Sequence, residues 1–242
     1  MVIDYIGDKI MHSLRSKINL KIFFDLLFGF ISIIILLFYE VYYFKFFVDD
    51  AYISLHYAQN LANYSNIFFN KEGQPVEAYS NFLWILIASI FVKLNLDPMM
   101  SMKIFGIILS IGNLFLIYNL SKFFSKNKKR NIFPVFFTCI IPYYGIWAIA
   151  GLETQLYILN ILIISSCIFS IFSKQKIRIK TTFLFLSIGL LGVCFTRIEG
   201  IFIYLICQIF LLFNLISHKS SFNRTFNINN KLIFNIFLFI ID

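Results

Sequence analysis

Residues 82–94, FLWILIASIFVKL, decide how this chain is threaded. The stretch is apolar throughout, yet its 13 residues fall short of the roughly 20 that a helix needs to cross about 30 Å of hydrocarbon. That length predicts an interfacial or re-entrant helix. Longer apolar runs near 22–44, 102–121, 132–150, 154–173, 181–196, 199–216 and 232–242 are candidate spans, about seven in all, the last cut short at Asp242.

The basic residues test this assignment. With 82–94 held in the interface, the groups Lys9 to Lys21, Lys122 to Arg130, Lys174 to Lys180 and Lys219 to Lys231 fall on one side, and they hold 16 of the 21 Lys and Arg residues. Making 82–94 a full span would send the cluster KSKNKKR to the other side, against the positive-inside rule. The expected layout is therefore a cytoplasmic N-terminus over 1–21, a transmembrane module over 22–242 and an external loop over 45–101. The run from Ile22 continues past Phe38 with no A-x-A cleavage site, as in a retained signal anchor.

Composition points the same way. The chain is 60% hydrophobic and only 14% charged, with a mean hydropathy of +0.82, outside the balance of soluble domains. The net charge of +9 lies in short clusters between apolar runs, a membrane pattern and not a nucleic-acid footprint. Cys139, Cys167, Cys194 and Cys207 sit inside apolar runs without CxxC spacing and read as small core residues. The fold expected is an all-α polytopic membrane protein.

The outer face then collects the residues of chemical interest. Asp49 and Asp50 follow the first span and precede AYISLHYAQNLA, which reads as a short surface helix. One reading makes Asp50 a helix cap and Asp49 a first-turn acid. The other makes the pair a general base with a partner for substrate or metal. Next, NKEGQPVEAYSNFLW carries a Gly-Pro turn followed by Glu77, Tyr79, Ser80 and Asn81. GLETQLY places Glu153 at a helix start, and TRIEG places Arg197 and Glu199 at a turn. Each alone is a cap or a local ion pair. Together they reach one membrane level, where ionisable groups usually pair or face a cavity.

The ordered segments DDAYISLHYAQNLA, FNKEGQPVEAYSNFLW, AGLETQLY and TRIEG resemble bacterial GT-C glycosyltransferases of the terminal arabinofuranosyltransferase-like and mannosyltransferase-like kinds, over residues 20–215. The resemblance implies a GT-C-like helix bundle with juxtamembrane helices in the first external loop. It implies a polyprenyl-phosphate-linked sugar as donor, an extracytoplasmic glycan, lipid or protein as acceptor, and a site on the outer face of a bacterial inner membrane. Asp49 or Asp50 would deprotonate the acceptor, and Lys45, His56, Glu77, Tyr79, Asn81, Glu153, Arg197 and Glu199 would bind substrate.

A divalent cation, Mg or Mn, held at Asp50, or Arg197 with Lys45 behind it, would stabilise the leaving phosphate. His56, Ala78 and Ser80 stand where relatives often carry Arg, Gly and Thr. Relatives also continue for several more spans, so the chain is expected to carry their N-terminal portion. Two other classes share the same residues: a transporter of lipid-linked sugars or ions, which needs polar groups deep in several spans, and a non-catalytic membrane subunit.

Overall fold

A computed structural model describes residues 23–70, 79–124, 131–172 and 179–217, and every regular element among them is a helix. The elements are α1 (Phe23–Tyr42), then α2 (Asp49–Tyr64), α3 (Phe82–Lys93), α4 (Pro98–Phe124), α5 (Phe133–Ile140), α6 (Pro142–Ile149), α7 (Thr154–Phe172), α8 (Ile179–Thr196) and α9 (Gly200–Ser217). Among the described residues, three helices are long and apolar enough to cross a membrane: α1 with 20 residues, α4 with 27, and 18 residues of α7, while the expected spans 181–196 and 199–216 fall in the shorter apolar stretches of α8 and α9. The outward faces of α1 and α4 are large apolar side chains such as Phe30, Ile108 and Phe115. Lipid is a solvent for such faces, and water is not.

Local sequence sets the breaks. α4 starts where Asp97 accepts the Met100 N–H at 2.8 Å and Pro98 occupies the first turn, in which a missing N–H costs nothing. The α2 helix stops at Ser65, which takes a left-handed φ of 57°. The run 132–150, read above as one span, is two eight-residue helices, α5 and α6. Pro142 is the reason: it has no N–H to donate back to the preceding turn, and it drives Ile141 into an extended conformation (ψ 110°).

α3 is one twelve-residue helix, shorter than a span, as its length in the sequence suggested. It does not stand alone. It packs mainly against α2 and also touches α4 and α8, burying Trp84, Ile85 and Ala88 with Leu55, Tyr57, Ala58, Met102, Leu109 and Leu156 in one core. On α2 the buried positions Ala51, Ser54, Leu55 and Ala58 recur at helical spacing and form the face turned to that core.

A second core joins α7, α8 and α9 around Leu186, Leu190 and Val193. Where α4 meets α6, the space a Cβ on Gly106 would fill is already taken by the Ala148 carbonyl, so only glycine allows this approach.

Candidate functional site

The α2–α3 pair is pinned to the α6–α7 connection by two backbone-directed bonds. Val48 N–H donates to the Ala150 carbonyl at 3.2 Å, and the Trp84 indole donates to the Gly151 carbonyl at 2.9 Å. Gly151 adopts a φ of +83°, a conformation that favours glycine, and the Phe47 ring closes over the place where a Cβ would project. These contacts set the start of α2 against the start of α7.

Between them opens a cavity of about 550 Å³ whose walls come from α2, residues 79–81, α6, the start of α7 and the α8–α9 turn. Asp50, Ile53 and Ser54 line it from α2, and this i, i+3, i+4 spacing is one helix face. Successive helix positions are rotated by about 100°, so Asp50 lines the cavity while its neighbour Asp49 does not. Neither acts as the cap of α2: the cap position is Val48, and both aspartates lie in the first turn. That corrects the reading of Asp50 as a cap; the first-turn position still suits the helix dipole.

Glu153 is the anchor of the polar wall. Its side chain is 7% exposed, and such a carboxylate needs partners for both oxygens. Asn81 Nδ2 donates to Oε2 at 2.9 Å, and Arg197 Nη1 donates to Oε1 at 3.2 Å. The Asn81 amide also donates to Ser54 Oγ at 3.0 Å, which ties α2 to the same network. Arg197 turns its other edge to Glu199, with Nε and Nη2 each 3.4 Å from a carboxylate oxygen. Its Cζ lies 5.9 Å from the centre of the Tyr157 ring.

Arg197 and Glu199 perturb each other in the expected directions. The hydrogen bond to Glu199 holds the Arg197 guanidinium further above its ordinary range, against partial burial, and the charge of Glu153 adds to the effect. Hydrogen bonding by its own backbone, and then by Arg197, holds the Glu199 carboxyl below the usual range.

Of the ten site residues expected from sequence, five line this cavity together: Asp50, Tyr79, Asn81, Glu153 and Arg197. Glu199 touches it only through Arg197. Asp49, Lys45 and His56 do not contribute to the lining. His56 instead shares a 2.7 Å hydrogen bond with the Phe69 carbonyl, while Asn60 donates to the carbonyls of Phe68 and Phe69. Those bonds fold residues 65–70 back along α2, a structural task. Glu77 lies outside the described residues.

Sequence reading did not select Ser54 or Trp147 as part of the site. Ser54 carried a signal, since it sits four residues after Asp50 on the same helix face. Trp147 carried none, being one aromatic residue in an apolar run. Among the described residues, no group of three or more His, Cys, Asp and Glu side chains is placed to hold a metal ion. Asp50 remains a single carboxylate open to the cavity, and Mg²⁺ is commonly held by one or two carboxylates plus substrate phosphate and water.

A different polar cluster lies inside the helices. Glu40 of α1 is 2% exposed; Ser110 Oγ of α4 donates to its Oε1 at 2.9 Å, and its Oε2 has no partner. Tyr144 donates to the Ser110 carbonyl at 2.6 Å, Gln155 to the Tyr144 carbonyl at 2.8 Å, and Asn113 to Gln155 Oε1 at 2.9 Å.

The class defined by these features is a protein that is helical throughout its described residues, with membrane-length apolar helices and a polar cavity at one end of them. No known protein family matches the chain, and no curated protein or solved structure matches it.

Proposed function

We propose that this chain is a membrane glycosyltransferase module of the GT-C type, moving a sugar from a polyprenyl-phosphate donor to a hydroxyl of an extracytoplasmic glycan, lipid or protein. The observation that carries the proposal is the convergence of Asp50, Asn81, Glu153 and Arg197, drawn from four separate segments, on one cavity at the end of the apolar helices. A donor whose activated phosphate is itself lipid-linked needs no nucleotide-binding loop, and the sequence carries no such glycine-rich motif.

In this reading Asp50 is the general base. Its carboxylate takes the proton of the acceptor hydroxyl as the acceptor oxygen bonds to the anomeric carbon. The bond from that carbon to the phosphate oxygen breaks, and the electron pair leaves on polyprenyl phosphate. Arg197 offsets the charge gathering on the phosphate. A divalent ion at Asp50, when bound, would supply further neutralisation of the same phosphate.

Asp50→Asn and Asp49→Asn separate the two carboxylates. Sugar transfer to acceptor in membranes is expected to fall at least about a hundredfold for Asp50→Asn and to change little for Asp49→Asn. Undiminished transfer by Asp50→Asn, at equal protein level, would sink the assignment of the base.

One observation favours a second reading, transport of a lipid-linked sugar or an ion. The Glu40, Ser110, Asn113, Tyr144 and Gln155 cluster places polar groups within apolar helices, where ionisable residues commonly mark a path. Flux that depends on Glu40, with no transfer product, would select it over the first.

A further inference from the structure

Arg197 is held asymmetrically. Its Nη1 corner is fixed by Glu153, whose side chain is 7% exposed and whose second oxygen is itself tied down by Asn81. Its Nε and Nη2 edge meets Glu199, whose side chain is 56% exposed, with both contacts at 3.4 Å. Charge-assisted bonds of this kind normally run at about 2.7–2.9 Å. One side of the guanidinium is therefore built in, while the other is covered loosely by a solvated carboxylate.

The loosely covered edge is the one with chemical value. Two parallel N–H groups on the Nε side match two oxygens of a carboxylate or of a phosphate equally well. The Glu199 carboxylate already presents two oxygens to two nitrogens in this way. A phosphate arriving through the cavity would need the same two N–H groups, and Glu153 would keep the guanidinium in place during the exchange.

We propose that Glu199 is an internal placeholder for phosphate, covering the oxyanion-binding edge of Arg197 until a phosphate ester displaces it. The ligand class is a phosphate mono- or diester anion, and the inference rests on the glycosyltransferase reading given above. Glu199 competes with the incoming donor phosphate and with the departing polyprenyl phosphate alike. It lowers affinity for both, and so assists release of the product that would otherwise hold the arginine.

The test measures binding of farnesyl phosphate, and separately of inorganic phosphate, to the full chain in lipid nanodiscs. The proteins are the wild type, Glu199→Gln, Arg197→Gln and the double variant. Removing the competitor is expected to tighten farnesyl phosphate binding about fivefold, the range of an exposed ion pair, with inorganic phosphate following the same trend. The gain should vanish in the Arg197→Gln background.

Unchanged or weaker farnesyl phosphate binding by Glu199→Gln overturns the placeholder, as does an equal gain in the double variant, which would reflect charge removal alone. A response of inorganic phosphate without one of farnesyl phosphate overturns it also. Arg197→Gln binding as tightly as wild type would instead remove the arginine from the phosphate site and with it the parent reading. Glu199 directly precedes α9, so thermal unfolding of each variant is recorded alongside; lower stability with unaltered affinity marks a helix-end role and counts against the proposal.

Discussion

Asn81 donates to the Glu153 carboxylate at 2.9 Å across 72 residues of sequence. Both side chains are buried, and the bond joins the segment ahead of α3 to the start of α7. Asn81→Ala leaves a buried carboxylate oxygen without its donor, at an expected cost of about 1–3 kcal/mol. Asn81→Asp is expected to be worse, because it sets a second carboxylate against the first. Thermal unfolding of the purified variants, ranked against wild type, checks the order.

Gly151 makes a sharper demand on the backbone. Alanine there meets both the positive φ and the Phe47 ring. A loss of about 2 kcal/mol or more is expected, together with a weakened Trp84 contact to the Gly151 carbonyl. Tryptophan fluorescence compared with that of Trp84→Phe, beside the unfolding midpoint, reports both.

Acid should dissolve the stabilising effect of the Glu199–Arg197 pair. A carboxyl whose folded pKa is depressed contributes stability that is present above its unfolded value and lost as pH falls through the folded one. The stability difference between wild type and Glu199→Gln is therefore expected to hold at neutral pH and to close only below the ordinary carboxylate range. A difference that stays constant through strong acid would assign it to packing or to the α9 end instead.

Glu40 predicts a gain from a loss. Its Oε2 is buried without a partner, and the single Ser110 hydroxyl proton has the Ile107 carbonyl at 2.8 Å as an alternative acceptor, so that hydroxyl stays satisfied without Glu40. Glu40→Leu, similar in volume, is expected to leave stability unchanged or to raise it by about 1–3 kcal/mol. Under the transport reading the same change abolishes flux, whereas under the glycosyltransferase reading transfer persists.

The proposed orientation has its own check. Ser80 and Lys122 are both exposed. From Lys103, which lies at the cavity end of α4, to Lys122 the helix rises roughly 28 Å. An impermeant thiol reagent applied to intact cells is expected to label Ser80→Cys and to spare Lys122→Cys; the reverse pattern would invert the topology. The native cysteines are buried or half-buried within helices.

Hydropathy made the long helices legible, because a membrane-length apolar run has few other fates. The shortness of 82–94 was legible for the same reason. Register was not. Asp49 and Asp50 are indistinguishable in a sequence, and only the packing of Ala51, Leu55 and Ala58 against α3 decides which of them turns to the cavity.

Lys103 shows how an averaged signal misses a buried charge. The count of basic residues leaves it on the outer side, and α4, which begins at Pro98, carries it into the core, where its ammonium reaches the carbonyls of Phe44 and Phe46 just past the end of α1. The Asp97-Pro98 pair was the available signal, since an acidic cap before a first-turn proline marks a helix start. Glu40 was hidden in the opposite way, as one carboxyl inside a strongly apolar window. The meeting of Glu153, Arg197 and Asp50 at one cavity was the most legible geometry, because each stands at a helix end and those ends pack together.

The Glu153–Arg197 pair has a consequence in time. The ribosome makes Glu153 before Arg197, and the 44 residues between them take roughly 2–9 s at ordinary elongation rates. For that interval the carboxylate has Asn81 at hand but no cation. The polar wall of the cavity is thus completed only when the turn after α8 has delivered Arg197.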